Sequence, residues 1–256
     1  MPAIDLPLLI DAARAAGDIS LSFHGRSPTV WEKDGDQGPV TEADLAVNRM
    51  LSERLRAARP EYGWLSEETP DDKDRLAAQR VFVIDPIDGT RAFIRGDKDW
   101  AHAIAVVEDG VPIAGVVYLP ARSLMFAAAL GHGATCNGRP IRVSGQSNVA
   151  RAQVLTTKPN LAPHHWSGGV PPFTRGFRSS LAYRMALAAE GKFDAMLTLR
   201  PSWEWDIAAG AVIVSEAGGD VTDRRGRPLR FNTPKRQLDG VIAGGAVVPA
   251  LLAALA

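Results

Sequence analysis

Apolar residues along this chain change their spacing several times, and each change marks an element. Over Ile4 to Ser22 the positions Leu8, Leu9, Ala12, Ala15, Ala16 and Ile19 recur near helical spacing, which predicts a helix. Gly25 to Pro39 breaks the pattern with Gly25, Pro28, Gly35, Gly38 and Pro39 and is predicted to be a loop, with Lys33 inside it. Thr41 followed three residues later by Asp44 resembles a capping box, and Leu45, Val47, Met50, Leu51 and Leu55 continue as a helix. Tyr62 to Leu65 reads as a short strand and Lys73 to Ala78 as a short helix. Val81 to Ile84 is wholly apolar and suits a buried strand, expected to end on Asp85 because Pro86 has no N–H for a ladder.

Downstream the period changes to that of an antiparallel meander. Trp100 to Val107 and Val111 to Leu119 read as strands joined by Glu108-Asp109-Gly110, a hairpin turn, and Ser123 to Ala129 as a third. Gly131 to Gly138 is turn-rich, and Ile141 to Val143 is predicted as another strand. The second half starts with a strand over Gln153 to Thr157, then a loop rich in Pro, Gly, His and Trp over Asn160 to Thr174, expected to be mobile. Helices are predicted over Ser179 to Glu190, Glu204 to Glu216 and Ala246 to Leu255, with strands over Ala195 to Leu199, Asp220 to Thr222 and Gly240 to Ala243. The expected division is 1–150, carrying most of the acidic residues of interest, and 151–256.

Composition narrows the function. The chain has 256 residues, 46% hydrophobic and 23% charged, with formal net charge zero, so no global field draws nucleic acid or an anionic membrane. The single cysteine, Cys136, excludes an internal disulfide or a cysteine-rich zinc site and reads as a buried small hydrophobe. No apolar run approaches a membrane span, and Asp5 and Asp11 stand where a basic signal region would be, so a cytoplasmic protein is expected. His164-His165 reads as loop residues because no Cys or Glu lies at ligand spacing.

Six carboxylates share one feature. Asp44, Glu67, Glu68, Asp85, Asp88 and Asp206 each fall at the end of a predicted element, where they could face a common crevice. Like charges cannot gather without compensation, and desolvation costs several kcal/mol per ion. Hard divalent cations compensate such clusters, and Mg²⁺ takes carboxylates, carbonyls, water and substrate phosphate. An oxygen-only site holding two or more metals suits in-line displacement at phosphorus. The chain has no Gly-x-x-x-x-Gly-Lys-Ser/Thr loop, no Gly-x-Gly-x-x-Gly fingerprint and no His-Glu-x-x-His, and Asp85 to Thr90 is not an EF-hand loop.

Asp44, Glu67-Glu68, Asp85-Pro86-Ile87-Asp88-Gly89-Thr90, Trp205-Asp206 and, after eleven residues, Gly218-Gly219 occur in order. This set resembles the lithium-sensitive, magnesium-dependent phosphatase superfamily, which includes inositol monophosphatases and 3'(2'),5'-bisphosphate nucleotidases. The resemblance covers nearly the whole chain. It implies a layered α/β/α/β/α sandwich of the sugar-phosphatase type, an α+β chain with a largely antiparallel N-terminal sheet and a second, smaller sheet. It also implies two or three Mg²⁺ ions, with Li⁺ inhibitory. Glu67, Asp85 and the Ile87 carbonyl would hold the first. Asp85, Asp88 and Asp206 would hold the second, and Asp44 with Glu67 would help define a weaker third. Thr90, partnered by Asp44, would orient and deprotonate the attacking water, with Glu67 also in the catalytic set and Glu68 supporting. The N–H groups of Gly89 and Thr90 would cradle phosphate.

The substrate is less determined. Glu204-Trp205-Asp206 and Ser179-Ser180-Leu181 look more like the bisphosphate nucleotidases, where Gly-Ser-Ser-Leu-Lys is common. This chain has Arg178 for that Gly and Ala182 for that Lys, so Arg178, Arg184 or Lys158 would have to meet a second phosphate, with Ser179 and Ser180 contacting the ribose or its phosphate. The expected substrate is 3'-phosphoadenosine 5'-phosphate, with inositol monophosphate as the alternative. No nucleic-acid partner and no integral membrane segment are expected, and a homodimer is compatible with the reading. An aspartyl-phosphate mechanism of the haloacid-dehalogenase type needs Asp-x-Asp, whereas two residues separate Asp85 from Asp88. A regulatory or binding module on the same fold is the non-enzyme alternative.

Overall fold

Three helical layers, two helices of the first half outside, two helices of the second half in the middle and the closing helix on the far side, alternate with two sheets to make five layers. The computed structural model describes residues 4–26, 28–33 and 38–256. Helix α1 (Leu6–Phe23) leads to a small hairpin, β1 (Val30–Glu32) with β2 (Pro39–Thr41), and then to α2 (Glu42–Ala58). The segment expected to be a loop, Gly25 to Pro39, thus contains β1 and ends on the first residue of β2; Gly35 lies outside the described residues.

The large sheet runs in sequence order: β3 (Gly63–Ser66), β4 (Arg80–Asp88), β5 (Ala101–Glu108), β6 (Val111–Leu119), β7 (Leu124–Ala129), β8 (Ala134–Cys136) and β9 (Arg139–Pro140). Only β3 and β4 pair in parallel, joined through a 3-10 helix at Lys73–Ala77; the remaining pairs are antiparallel. Asp109 and Gly110 both have positive φ, as the tight turn between β5 and β6 requires.

Two readings of this sheet are corrected. β4 does not stop at Asp85 but continues through Pro86 to Asp88, because the register shifts there and Pro86 falls at an irregularity where no ladder N–H is needed. Ile141–Val143 is not a strand. Ile141 N–H goes to the Ala134 carbonyl and Val143 N–H to that of Ala217, so the backbone bonds two unrelated partners and forms no ladder. The strands of that region are β8 and β9 instead, and Cys136 is buried there as a free thiol.

The short helix α3 (Thr90–Ile94) follows β4. The second half contains β10 (Gln153–Leu155), β11 (Thr174–Gly176), α4 (Leu181–Ala189), β12 (Ala195–Thr198), β13 (Ser202–Trp203), α5 (Glu204–Glu216), β14 (Asp220–Thr222), β15 (Gln237–Leu238), β16 (Val241–Gly244) and α6 (Val248–Ala254). The second sheet has the order β11-β10-β12-β16-β14, while β13 and β15 form a separate pair. The segment between β10 and β11 holds 3-10 turns at Lys158–Leu161 and Pro163–His165.

Alternation along the strands decides the layers. Phe82, Ile84, Ile104 and Val106 face Leu9, Ala16, Val47 and Leu51 of α1 and α2. Their neighbours Val81, Val83, Ala103 and Ala105 face α4 and α5, which also cover Leu155, Met196 and Ala243 of the second sheet. The far side of that sheet, with Val154, Leu197 and Ile242, packs on Val248 and Leu251 of α6. Helix α5 is therefore apolar on nearly every side. Small residues keep the middle layer thin: a Cβ on Gly115 would lie 2.7 Å from Val212, and one on Gly210 would lie 2.6 Å from Met185. Among the described residues no helix is long and apolar enough to cross a membrane.

Candidate active site

The end of β4 organises the site. Asp85 and Asp88 are its last acidic positions, and Gly89 follows with φ +93°. A Cβ on Gly89 would sit 3.1 Å from the Asp99 carbonyl, so glycine answers both the backbone conformation and the close approach. Thr90 then opens α3. Its Oγ1 lies 3.0 Å from the Ile87 carbonyl and 3.3 Å from Asp44 Oδ1.

Asp44 arrives from the first turn of α2. The expected capping box is present: Asp44 Oδ2 accepts from the Thr41 N–H at 2.8 Å and from the Thr41 hydroxyl. That leaves Oδ1 for Thr90. The carboxylate is completely buried, and burial pushes its pKa up to about 6 against the pull of the Thr41 hydrogen bonds.

Glu67 and Glu68 follow β3. The Glu67 N–H donates to the Ile84 carbonyl at 3.1 Å, which ties this loop to β4. Lys33 reaches both acids, with Nζ 2.8 Å from Glu67 Oε1 and 2.5 Å from Glu68 Oε1. Burial, then the Glu67 charge, raises the Glu68 pKa to about 7 despite Lys33. Burial works against the charge on Lys33, but the two glutamates raise its pKa.

Asp206 stands in the first turn of α5, where the helix dipole favours a negative group. It offers a carboxylate oxygen that lies with those of Asp85 and Asp88 within 4.8 Å of one another. Asp88 is held by the Ser180 hydroxyl at 2.7 Å and the Ala182 N–H at 2.6 Å, and burial raises its pKa to about 6. Burial first, and then the charges of neighbouring acids, push Asp85 and Asp206 well above the usual carboxylate range. Asp85 Oδ1 is buried without a hydrogen-bond partner among the described residues. An orphaned carboxylate oxygen, three converging aspartates and an all-oxygen donor set fit a hard divalent cation.

A cavity of about 710 Å³ opens beside this cluster, its wall including Gly89, Thr90, Phe177, Ser179, Arg184 and Arg200. Of the residues expected to meet substrate, Gly89, Thr90, Ser179 and Arg184 line it. Ser180 is buried instead, caps α4 through the Tyr183 N–H and gives its hydroxyl to Asp88. Arg178 turns toward Phe193 and donates to the Phe177 carbonyl at 2.7 Å, and neither it nor Lys158 is in the wall. Arg184 donates to the carbonyls of Arg178 and Ser179 and lies 4.8 Å over the Phe177 ring. Burial, aided by the charge of nearby Arg200 and opposed by those of Asp88 and Asp206, lowers its pKa to about 10.

Lys33 and Arg200 were not legible as site residues: each is a lone cation in a turn or loop, with no periodic pattern to place it. Phe177 offered one weak signal, an aromatic residue next to a cation and a Ser-Ser pair.

Comparison with known proteins agrees over most of the chain. The profile of the inositol monophosphatase family matches residues 6–254. The 3'(2'),5'-bisphosphate nucleotidase CysQ of Escherichia coli (strain K12) is 33% identical over 236 residues, covering 87% of this chain and 92% of that protein. Inositol monophosphatase 1 of Solanum lycopersicum is 32% identical over 234 residues, covering 86% and 85%. Among solved structures, a Thermotoga maritima IMPase superposes with a TM-score of 0.85 at 29% identity, covering 99% of this chain and 96% of that one.

Proposed function

The chain belongs to the inositol monophosphatase family, a family of metal-dependent phosphatases, and on that premise we propose that it hydrolyses 3'-phosphoadenosine 5'-phosphate to AMP and phosphate. Asp85, Asp88 and Asp206 would hold one Mg²⁺, and Glu67, Asp85 and the Ile87 carbonyl a second, with Asp44 and Glu67 at the edge of a weaker third position and Glu68 in support. Magnesium there supplies Lewis-acid chemistry, offsetting phosphoryl charge and making water acidic enough to react, and Li⁺ inhibition would follow from competition for the same acids.

The chain's own groups do the rest. Thr90 Oγ1 accepts a hydrogen bond from the attacking water as it donates to Asp44 Oδ1, so the proton can pass to a carboxylate whose pKa of about 6 suits a base near neutral pH. Gly89 and Thr90 present their N–H groups at the start of a helical turn, where phosphate oxygens can be received. Ser180 and the Ala182 N–H keep Asp88 from swinging toward solvent.

The observation carrying the nucleotide reading is the pair Arg184 and Arg200 on the cavity wall. Burial disfavours the Arg184 charge, the nearby Asp88 and Asp206 charges offset this in part, and the Arg200 charge opposes it, so a second anion reaching both arginines would relieve them. Phe177 exposes its ring on the same wall, where a base could stack. The test is phosphate release at millimolar Mg²⁺ from the bisphosphate nucleotide, inositol 1-phosphate and fructose 1,6-bisphosphate. The expected kcat/KM is highest for the nucleotide by roughly tenfold or more. A preference for inositol phosphate moves the activity to the alternative, which the 32% identity to the Solanum lycopersicum inositol monophosphatase favours. No release from any ester overturns phosphatase function and leaves a binding module.

A further inference from the structure

Directly behind the acidic centre lies a histidine that the chemistry above does not use. Along β4 and β5, Asp85 pairs with Ala103 and Asp88 with Ala101, so Pro86 and Ile87 together face the single residue His102. That two-against-one count is a β-bulge. Pro86 has no N–H, and its carbonyl is left in a buried position where an unpaired oxygen would be costly. His102 Nδ1 makes a close hydrogen bond to it. A carbonyl can only accept, so Nδ1 carries the proton and, in the neutral ring, Nε2 is the acceptor. Nε2 lies 3.0 Å from the Ser20 hydroxyl on α1, which can give its one proton either to Nε2 or to the Gly17 carbonyl at 3.1 Å, and both Ser20 and His102 are completely buried. Gly17, one turn earlier, permits this approach: a Cβ there would lie 2.5 Å from the Tyr118 ring. Trp100 closes the other side, edge to face with the imidazole at 5.5 Å.

We propose that His102 is a positioning residue for the acidic centre. Holding the Pro86 carbonyl fixes the bulge, and the bulge aims the Asp85 carboxylate, the Ile87 carbonyl and the Asp88 carboxylate at one place. Ser20 keeps the imidazole in the required tautomer by giving its proton to Nε2 in preference to the Gly17 carbonyl, so helix α1, which supplies no acid to the site, sets the geometry of its centre. Second partners of this kind commonly govern metal affinity more than fold. The inference rests on the reading that these oxygens hold a divalent cation.

Its test is Mn²⁺ binding by calorimetry on the metal-free full chain, with a thermal melt of each variant. His102→Leu is expected to melt cooperatively and to bind Mn²⁺ roughly 10–100-fold more weakly. His102→Asn places an amide N–H near the position of Nδ1 and is expected to restore most of that loss, and Ser20→Ala to show an intermediate one. A folded His102→Leu with parental affinity overturns the proposal, as does equal weakening by Leu and Asn. Should the Leu variant not fold, Ser20→Ala decides: parental affinity overturns the proposal, and weaker binding at an unchanged melting temperature supports it. A parent chain that binds no Mn²⁺ overturns the metal-site reading itself, a result distinct from parent and variants binding alike.

Discussion

Thr90 Oγ1 lies 3.3 Å from Asp44 Oδ1, although the two residues open different helices. Asp44 thus has two duties on two oxygens: Oδ2 caps α2 through Thr41, and Oδ1 faces Thr90. Substitution can separate them. Asp44→Asn keeps one carbonyl oxygen for capping but cannot take a proton. It is expected to lower kcat by roughly 10²–10⁴-fold with a smaller change in KM, while the melting temperature stays close to the parent's. Thr90→Ala should give a loss of similar size, and Thr90→Ser should recover most of it. Steady-state kinetics with thermal melts check both; a fully active Asp44→Asn removes Asp44 from the proton path.

The crowding of Asp85, Asp88 and Asp206 sets stability against function. With no cation present, three oxygens within 4.8 Å repel one another, and Asp85 Oδ1 has no hydrogen-bond partner among the described residues. Asp206→Asn removes one charge and keeps the shape. The expected outcome is a metal-free protein that melts higher than the parent at pH 8, but binds Mg²⁺ weakly and has lost nearly all turnover. Activity equal to the parent's contradicts the assignment of Asp206, and a lower melting temperature contradicts the repulsion.

Much of the fold was legible because the hydrophobic period is clean in its long elements. Helix α5 was placed at Glu204 to Glu216 and the hairpin around Asp109-Gly110 at its turn, both as found. Failures came where tertiary pairing overrides local pattern. Pro86 is a strand breaker by its chemistry, yet β4 passes it because the bulge asks nothing of its missing N–H. Ile141 and Val143 look like strand because they are β-branched and pack half-buried against the core, but their N–H groups bond elsewhere. In the site, the acids could be found because each ends an element. His102 could not, since one histidine in an apolar run carries no sign of which carbonyl it will meet.

Proton and metal compete for the same acids, which fixes the sign of the pH response. Burial raises Asp44 and Asp88 to about 6 and Glu68 to about 7, so the folded chain binds these protons more tightly than the unfolded chain does. Their contribution is fully present near pH 4, the unfolded range of carboxylates, and is lost as pH rises through 6 and 7. The metal-free protein should therefore melt lower at pH 8 than at pH 5, by about 5 °C or more. Millimolar Mg²⁺ should raise the melting temperature strongly at pH 8 and little at pH 5. A metal-free protein more stable at pH 8 reverses the sign and rules out these acids as the groups for which proton and metal compete.

Arg200 offers the sharpest separation between the two substrate readings. It stands on the cavity wall, is exposed, and opposes Arg184 electrostatically. Ala182, at the position where a lysine was expected, is completely buried and uses its N–H on Asp88, so no cation can come from that site. On the nucleotide reading, the second phosphate would be met by Arg184 and Arg200, while Arg91 and Arg95 stand on the same wall beside Thr90. A charge-assisted hydrogen bond is worth about 1.5–3 kcal/mol, or roughly 10–100-fold in affinity. Arg200→Ala should raise KM for the bisphosphate nucleotide by that factor and change kcat by less. For a monophosphate ester such as inositol 1-phosphate the same variant should change KM less than about threefold, there being no second anion to lose. Equal losses on both substrates would place Arg200 at the reacting phosphate and withdraw the support it gives to a nucleotide.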